Sequence, residues 1–217
     1  MRTRTKWQLG ILAVLVVAIA VAIGLTAQQK GVTAKPDPSA PTEPAIAADS
    51  HRLSEGSTEA TLVEFLDFEC PSCRQMAPVV DDLVEKYGEQ VTVAVRYFPL
   101  PGHQNSMTSA LAVEAAAQQG KFTEMKDKVF ETQPEWGGKS DSQAELFRGF
   151  AKELGLDLAQ YDAAVADPAT TERIEADKRA GEALGVSGTP SFFLNDAPLE
   201  LDTLEELDEA VAKAARG

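Results

Sequence analysis

The sequence predicts an α/β fold built on one interrupted sheet, preceded by a membrane-spanning helix and an extended linker. Three observations carry this prediction. Strand-like segments at 61–68 and 91–97 bracket a helical one; a block of amphipathic helices follows; a short hairpin and a last helix close the chain. A strand, helix, strand order of this kind implies a βαβ unit with parallel pairing.

Thr61–Phe68 and Val91–Tyr97 have the β-branched and aromatic content of strands. Between them, residues 71–87 place Met76, Val79, Val80, Leu83 and Val84 at helical spacing. Phe122, Met125, Val129 and Phe130 share one helical face further on, as do Leu146, Phe147, Phe150, Ala151 and Leu154. Ser191–Leu194 and Ala197–Leu201, joined by Asn195-Asp196, read as a hairpin, with Pro198 confining its strand to a sheet edge. The final helix opens on Thr203 and Glu206 in capping-box spacing and is expected to bury Leu204, Leu207 and Val211.

The chain has 217 residues, 44% of them hydrophobic, enough for one domain with a true core plus accessories. A net charge of −14 argues against a nucleic-acid surface, which needs clustered Lys and Arg. Charge is unevenly placed: Arg2, Arg4 and Lys6 fall in the first six residues, which hold no acid. Leu9–Leu25 then runs for 17 uncharged residues, and its flanks bring it to the roughly 20 that span a bilayer. Residues 1–8 are therefore expected to be a cytoplasmic basic segment and 9–27 a single-pass signal anchor, with the remainder on the extracytoplasmic side. A cleaved signal peptide is the alternative; it is disfavoured by the length of the apolar run and by Leu25 where a small residue is wanted. Residues 28–50 hold Pro36, Pro38, Pro41 and Pro44 among small and polar residues and read as a tether. The folded domain is expected over 51–217, with helical residues inserted at about 104–185.

The two cysteines, Cys70 and Cys73, are separated by two residues. As a structural brace the pair is poor, since so short a loop yields only about 2 kcal/mol in the chain-entropy model. Its placement suits reactivity instead. Cys70 falls where strand gives way to helix, and Pro71 occupies a first-turn position that tolerates a missing N–H. Unpaired N–H groups and the helix dipole there favour a thiolate, so Cys70 is expected to attack and Cys73 to resolve. Glu69 would oppose the thiolate if its carboxylate turned inward. Zinc is not expected, because a four-ligand site would have to recruit His51 and His103, and no other metal or cofactor is implied.

Glu64 sits on the strand face of Leu62, Leu66 and Phe68, where a buried carboxyl could move a proton to or from the resolving thiol; an edge acid reaching water is the simpler reading. Thr189-Pro190 precedes the Phe192-Phe193 strand. A cis peptide there would expose the Thr189 backbone to an extended substrate segment; a plain strand start is the alternative. His103 is expected in a loop or capping role, and Trp136 as a hydrophobic anchor.

At these residues the chain resembles the DsbA-like branch of the thioredoxin superfamily in its membrane-anchored bacterial form. The resemblance rests on Val63–Cys73, Arg96–Leu100 with His103, Gly120–Phe122 and Gly185–Ser191, which together span the domain. It implies a thioredoxin fold with an inserted helical subdomain, Cys70 as nucleophile, Cys73 as its partner and Pro190 in cis. Glu64 matches the acidic residue near the resolving cysteine, and Pro78 a helix-kinking proline. Pro71-Ser72 stands between the cysteines where the strongly oxidising enzyme has Pro-His, which leaves the direction of electron flow open. The activity expected is a dithiol oxidase acting on exported, cysteine-containing clients and reoxidised by a membrane quinone-linked partner. A reductase or isomerase of the same fold, or a non-redox folding helper, are the alternatives. A monomer is expected.

Overall fold

The computed structural model describes residues 44–201 and 203–217. The basic segment, the expected anchor and residues 28–43 of the expected tether lie outside the described residues. Among the described residues no helix is long and apolar enough to cross a membrane.

The strands are β1 (His51–Arg52), β2 (Thr61–Leu66), β3 (Thr92–Tyr97), β4 (Ser191–Leu194) and β5 (Ala197–Leu199). They form one mixed sheet in the order β1-β3-β2-β4-β5. As the βαβ pattern requires, β2 and β3 pair in parallel, with Glu64 opposite Val95. Helix α1 (Pro71–Tyr87) is the crossover. The hairpin of β4 and β5 turns at Asn195 and Asp196, both at positive φ (51° and 64°), the conformation that suits Asn and Asp in a tight turn. Pro198 lies on the edge strand β5, where its missing N–H breaks no ladder bond between strands.

The insertion consists of α2 (Ser106–Ala117), α3 (Phe122–Trp136), α4 (Ala144–Glu153), α5 (Leu158–Ala166) and α6 (Pro168–Ala183). Its core joins Met125, Val129, Phe130, Trp136, Phe147 and Phe150 to Leu66, Phe68, Val95 and Tyr97 of the sheet side. Alternation along the strands assigns the two faces. Leu62 and Val93 meet Val80 and Leu83 of α1 and, from α7 (Leu204–Ala214), Leu207 and Val211. Val63, Phe65 and Ala94 meet Phe98, Val186 and Phe193 on the other face. Helix α6 closes over that face at Gly181, where a Cβ would fall 2.8 Å from the Phe98 ring and 3.0 Å from Phe65.

Two sequence expectations are corrected. Leu204 is 50% exposed, because the first turn of α7 stands clear of the sheet and its side chain rims an open groove, while Thr203 and Glu206 do form the capping box. The folded part also begins earlier than His51. Ala45 is fully buried, its N–H donates to Asp196 Oδ1 at 2.7 Å, and its carbonyl accepts from Arg96 at 3.1 Å. Asp49 carries the strap on to Arg173, whose guanidinium donates to the Asp49 carbonyl at 2.6 Å. Composition alone reads this Pro/Ala-rich stretch as tether because its partners lie up to 151 residues away.

Beneath the strap is a buried ionic cluster centred on Asp177, which is 1% exposed. Its carboxylate accepts from Arg96 Nε at 2.7 Å and from the Tyr97 N–H at 3.1 Å, and it pairs ionically with Arg173 Nη1 at 2.5 Å. Removing the shared acceptor leaves two guanidinium groups facing each other with a backbone donor unpaired. Asp177→Ala is therefore expected to destabilise the domain by about 3–5 kcal/mol, read as a lowered urea midpoint with an unchanged slope.

Candidate active site

Strand β2 ends at Leu66, and Asp67, Phe68 and Glu69 turn the chain into α1. Cys70 is the N-cap residue, with extended backbone (φ −70°, ψ 121°), and Pro71 is the first helical residue. The turn is buried, so its polar groups need partners. Asp67 supplies several: Oδ1 accepts the Glu69 N–H at 2.8 Å, and Oδ2 accepts the Leu100 N–H at 3.0 Å and meets His103 Nδ1 at 2.6 Å. Glu69 points into the insertion rather than at the sulfurs, accepting the Asn105 N–H at 2.6 Å and the Gly138 N–H at 2.9 Å. Gln133 of α3 completes the grip by donating to the carbonyls of Phe68 (2.7 Å) and Cys70 (3.0 Å).

The cysteines are unlinked, with Cys70 6% exposed and Cys73 fully buried. Their environments push them apart. The Cys73 thiol, hydrogen-bonded toward Cys70, lowers the Cys70 pKa from its usual 9.0 to about 5; burial opposes this, and the Thr189 side chain and the N–H groups of Cys73 and Ser72 add to the lowering. Burial, foremost, and the bond it gives to Cys70 push the Cys73 thiol far upward. Cys70 is thus the more acidic thiol of the pair, and Cys73 the sulfur that holds its proton. Pro71 and Ser72 are exposed, so the sulfur is approached across them.

The Thr189-Pro190 bond is cis, and Thr189 faces Cys70. As a thiol, Cys70 donates to the Thr189 carbonyl at 3.3 Å. The Thr189 hydroxyl is buried and has no partner of its own among the described residues, so it is available to a thiolate. Glu64 is 3% exposed on the central strand β2, which rules out an edge acid reaching water. Its Oε1 has no hydrogen bond among the described residues, and burial raises its pKa from 4.5 to about 8, against the opposing pull of Lys126. Its charge would in turn disfavour a Cys73 thiolate, so the two groups are electrostatically coupled with no hydrogen bond between them. Among the described residues no cluster of His, Cys, Asp or Glu could hold a metal ion.

Sequence reasoning passed over Asp67, Asn105 and Gln133. Gln133 alone left a readable signal, a polar residue on the apolar stripe of Met125, Val129, Phe130 and Trp136. His103 takes the loop role expected of it through Asp67, and Trp136, fully buried, anchors α3 to the insertion core through Phe147.

A family model described as Thioredoxin matches residues 48–213. The chain belongs to this thioredoxin family. Its cysteine pair stands at the start of a helix facing a cis-proline turn, with helices inserted into the fold. Among solved structures it is similar to a thioredoxin-like oxidoreductase from Silicibacter pomeroyi DSS-3 (29% identity, TM-score 0.65, covering 79% of this chain and 95% of that one). BdbD from Bacillus subtilis shares the fold at 21% identity and TM-score 0.68, covering 77% and 94%. Curated relatives include the Na(+)/H(+) antiporter NhaA of Herminiimonas arsenicoxydans, 35% identical over 176 residues. That match takes in 81% of this chain, which spans only 27% of the antiporter's length.

Two pH dependences follow. Because the folded Cys70 pKa is lowered, its contribution to the reduced protein is present above about 9 and lost as pH falls through about 5. Thr189→Val, which removes a thiolate donor while keeping shape, is expected to move the Cys70 titration upward from about 5, followed by ultraviolet thiolate absorbance. Glu64 has the opposite sign: its folded pKa is raised, so stability is present below 4.5 and lost as pH rises through about 8. Glu64→Leu is accordingly expected to stabilise the domain at pH 8 by on the order of 3 kcal/mol, and to lose that advantage at pH 4, in urea melts.

Proposed function

We propose that this chain is a dithiol oxidase that forms disulfides in exported proteins, working on the extracytoplasmic side of a membrane to which residues 9–27 anchor it. The observation that carries the reading is the lowered pKa of Cys70, held between the start of α1 and Thr189. A disulfide whose reduced form contains a stabilised thiolate is the better oxidant.

The exchange runs in two displacements. A client thiolate attacks the Cys70 sulfur of the Cys70–Cys73 disulfide, the S–S bond breaks, and its electron pair leaves on Cys73. That sulfur, buried and strongly basic, takes up a proton; Glu64, near 8, is the buried acid coupled to it. A second client thiolate then attacks the client sulfur of the mixed disulfide and expels Cys70 as a stabilised thiolate. The client loses two electrons and becomes a disulfide, and the Cys70–Cys73 pair gains them. A membrane quinone-linked partner reoxidises the pair. An extended client segment lies against the Thr189 backbone and the groove of about 580 Å³ beyond Pro190, walled by Met76, Phe193, Leu199 and Leu201. The transport named for the curated relatives belongs to far longer chains and forms no part of this reading.

A Cys70 pKa near 5 falls between about 7 for thioredoxin and about 3.5 for DsbA. The reduction potential is therefore expected between about −270 and about −120 mV, fixed by equilibrating the purified protein against a glutathione series. A value at or below the thioredoxin end would make the protein a reductase. In cells, a thiol trap should find the pair mostly disulfide-bonded; Cys70→Ser should abolish client oxidation, and Cys73→Ser should accumulate mixed disulfides.

A further inference from the structure

A second hollow, of about 390 Å³, lies beside the nucleophile. Its walls include Pro71, Arg74, Gly102, His103, Pro134 and Gly138. It shares no lining residue with the groove beyond Pro190. Pro71 directly follows Cys70 and Arg74 donates its N–H to the Cys70 carbonyl at 3.2 Å, so the hollow opens within one helical turn of the reacting residue. A client chain that reacts at Cys70 therefore passes close to Pro71 and Arg74.

The charge there is unlike that of the chain as a whole, which carries −14. The Arg74 side chain, half-buried, makes no hydrogen bond or ion pair among the described residues. Glu69, the acid among the lining residues, is already engaged, and so is Asp67 behind His103. Both oxygens of Glu69 are taken by the N–H groups of Asn105 and Gly138, and both oxygens of Asp67 by Glu69, Leu100 and His103. The His103 ring is committed through Nδ1, leaving Nε2 without a partner among the described residues. The hollow therefore offers one unpaired guanidinium and one free imidazole nitrogen to a ligand. Proline rings and glycines make up much of the remaining wall, leaving width for a peptide backbone. Its volume suits one or two residues.

We propose that this hollow is a second client subsite that selects an acidic residue next to the reacting cysteine, with Arg74 as the residue that sets the preference. The inference rests on Cys70 being the nucleophile toward clients. A bidentate carboxylate on Arg74 beside a partly desolvated sulfur adds a contact that a neutral client lacks.

The test uses two peptides of identical composition, each with one cysteine and one glutamate, the glutamate placed on one side of the cysteine or the other. Equal net charge removes the general repulsion by an acidic protein. Both react at the same sulfur, so any change in the Cys70 thiolate cancels in the ratio of their rates. With the oxidised full-length protein, one isomer is expected to react about three-fold faster than the other, an advantage that shrinks with added salt. The ratio should fall to about one in Arg74→Gln, survive in Arg74→Lys and invert in Arg74→Glu. Equal rates in the wild type, or a ratio unchanged in Arg74→Gln, would overturn the subsite while leaving the redox reading intact. If neither isomer reacts faster than with Cys70→Ser, the nucleophile assignment falls and the subsite with it.

Discussion

The carboxylates of Asp67 and Glu69 are 2% and 3% exposed, and between them they accept five hydrogen bonds, four from backbone N–H groups and one from His103. A buried carboxylate is tolerated only when its lone pairs are met, so these two can exist only while the β2–α1 turn, the loop after β3 and the start of the insertion keep their relative places. Gln133 reaches the same turn from α3 and closes the carbonyls of Phe68 and Cys70. The sulfur of Cys70 is thereby fixed at a helix start by contacts from three separate stretches of chain. The insertion is part of the active site's frame, not an ornament on the sheet.

That frame explains why two sulfurs three residues apart behave in opposite ways. Both are buried, and burial raises both. Cys70 gathers donors that only a residue at the helix start can collect, and its pKa comes down to about 5. Cys73, one turn inward, has given its proton toward Cys70 and sits near the Glu64 carboxyl, so its desolvation dominates and the hydrogen bond from the Asp67 backbone only partly offsets it. The difference is positional. It would vanish if the strand ran one residue longer and carried Cys70 off the N-cap, which is the displacement the Asp67 and Glu69 hydrogen bonds resist.

How much of this could be read from the chain depends on the range of each interaction. The βαβ unit over 61–97, the Cys70-Pro71 junction and the Asn195-Asp196 turn are set by neighbours a few residues apart, and spacing shows them. The orientation of Glu69 could not be read, because its partners, Asn105 and Gly138, lie 36 and 69 residues away. Left open, it was a threat to the thiolate; in place, it is a structural acceptor. The burial of Glu64 was suggested by its apolar strand face, yet only the position of β2 at the centre of the sheet settles it. The strap at 45–50 was invisible for the same reason as Glu69, its clamps coming from Asp196, Arg96 and Arg173.

The strap has a geometric consequence for how the domain is carried. Ala45 enters beside the β4–β5 turn, where Asp196 takes its N–H. That turn lies at the start of β2, since the Asn195 N–H bonds to the Thr61 carbonyl and Leu62 pairs with Leu194. Cys70 follows the end of the same strand. Six strand residues separate the two levels, on the order of 20 Å at about 3.3 Å each. Ala45 is therefore clamped at two levels of the sheet, at the start of β2 through Asp196 and near its end through Arg96, whose register partner is Phe65.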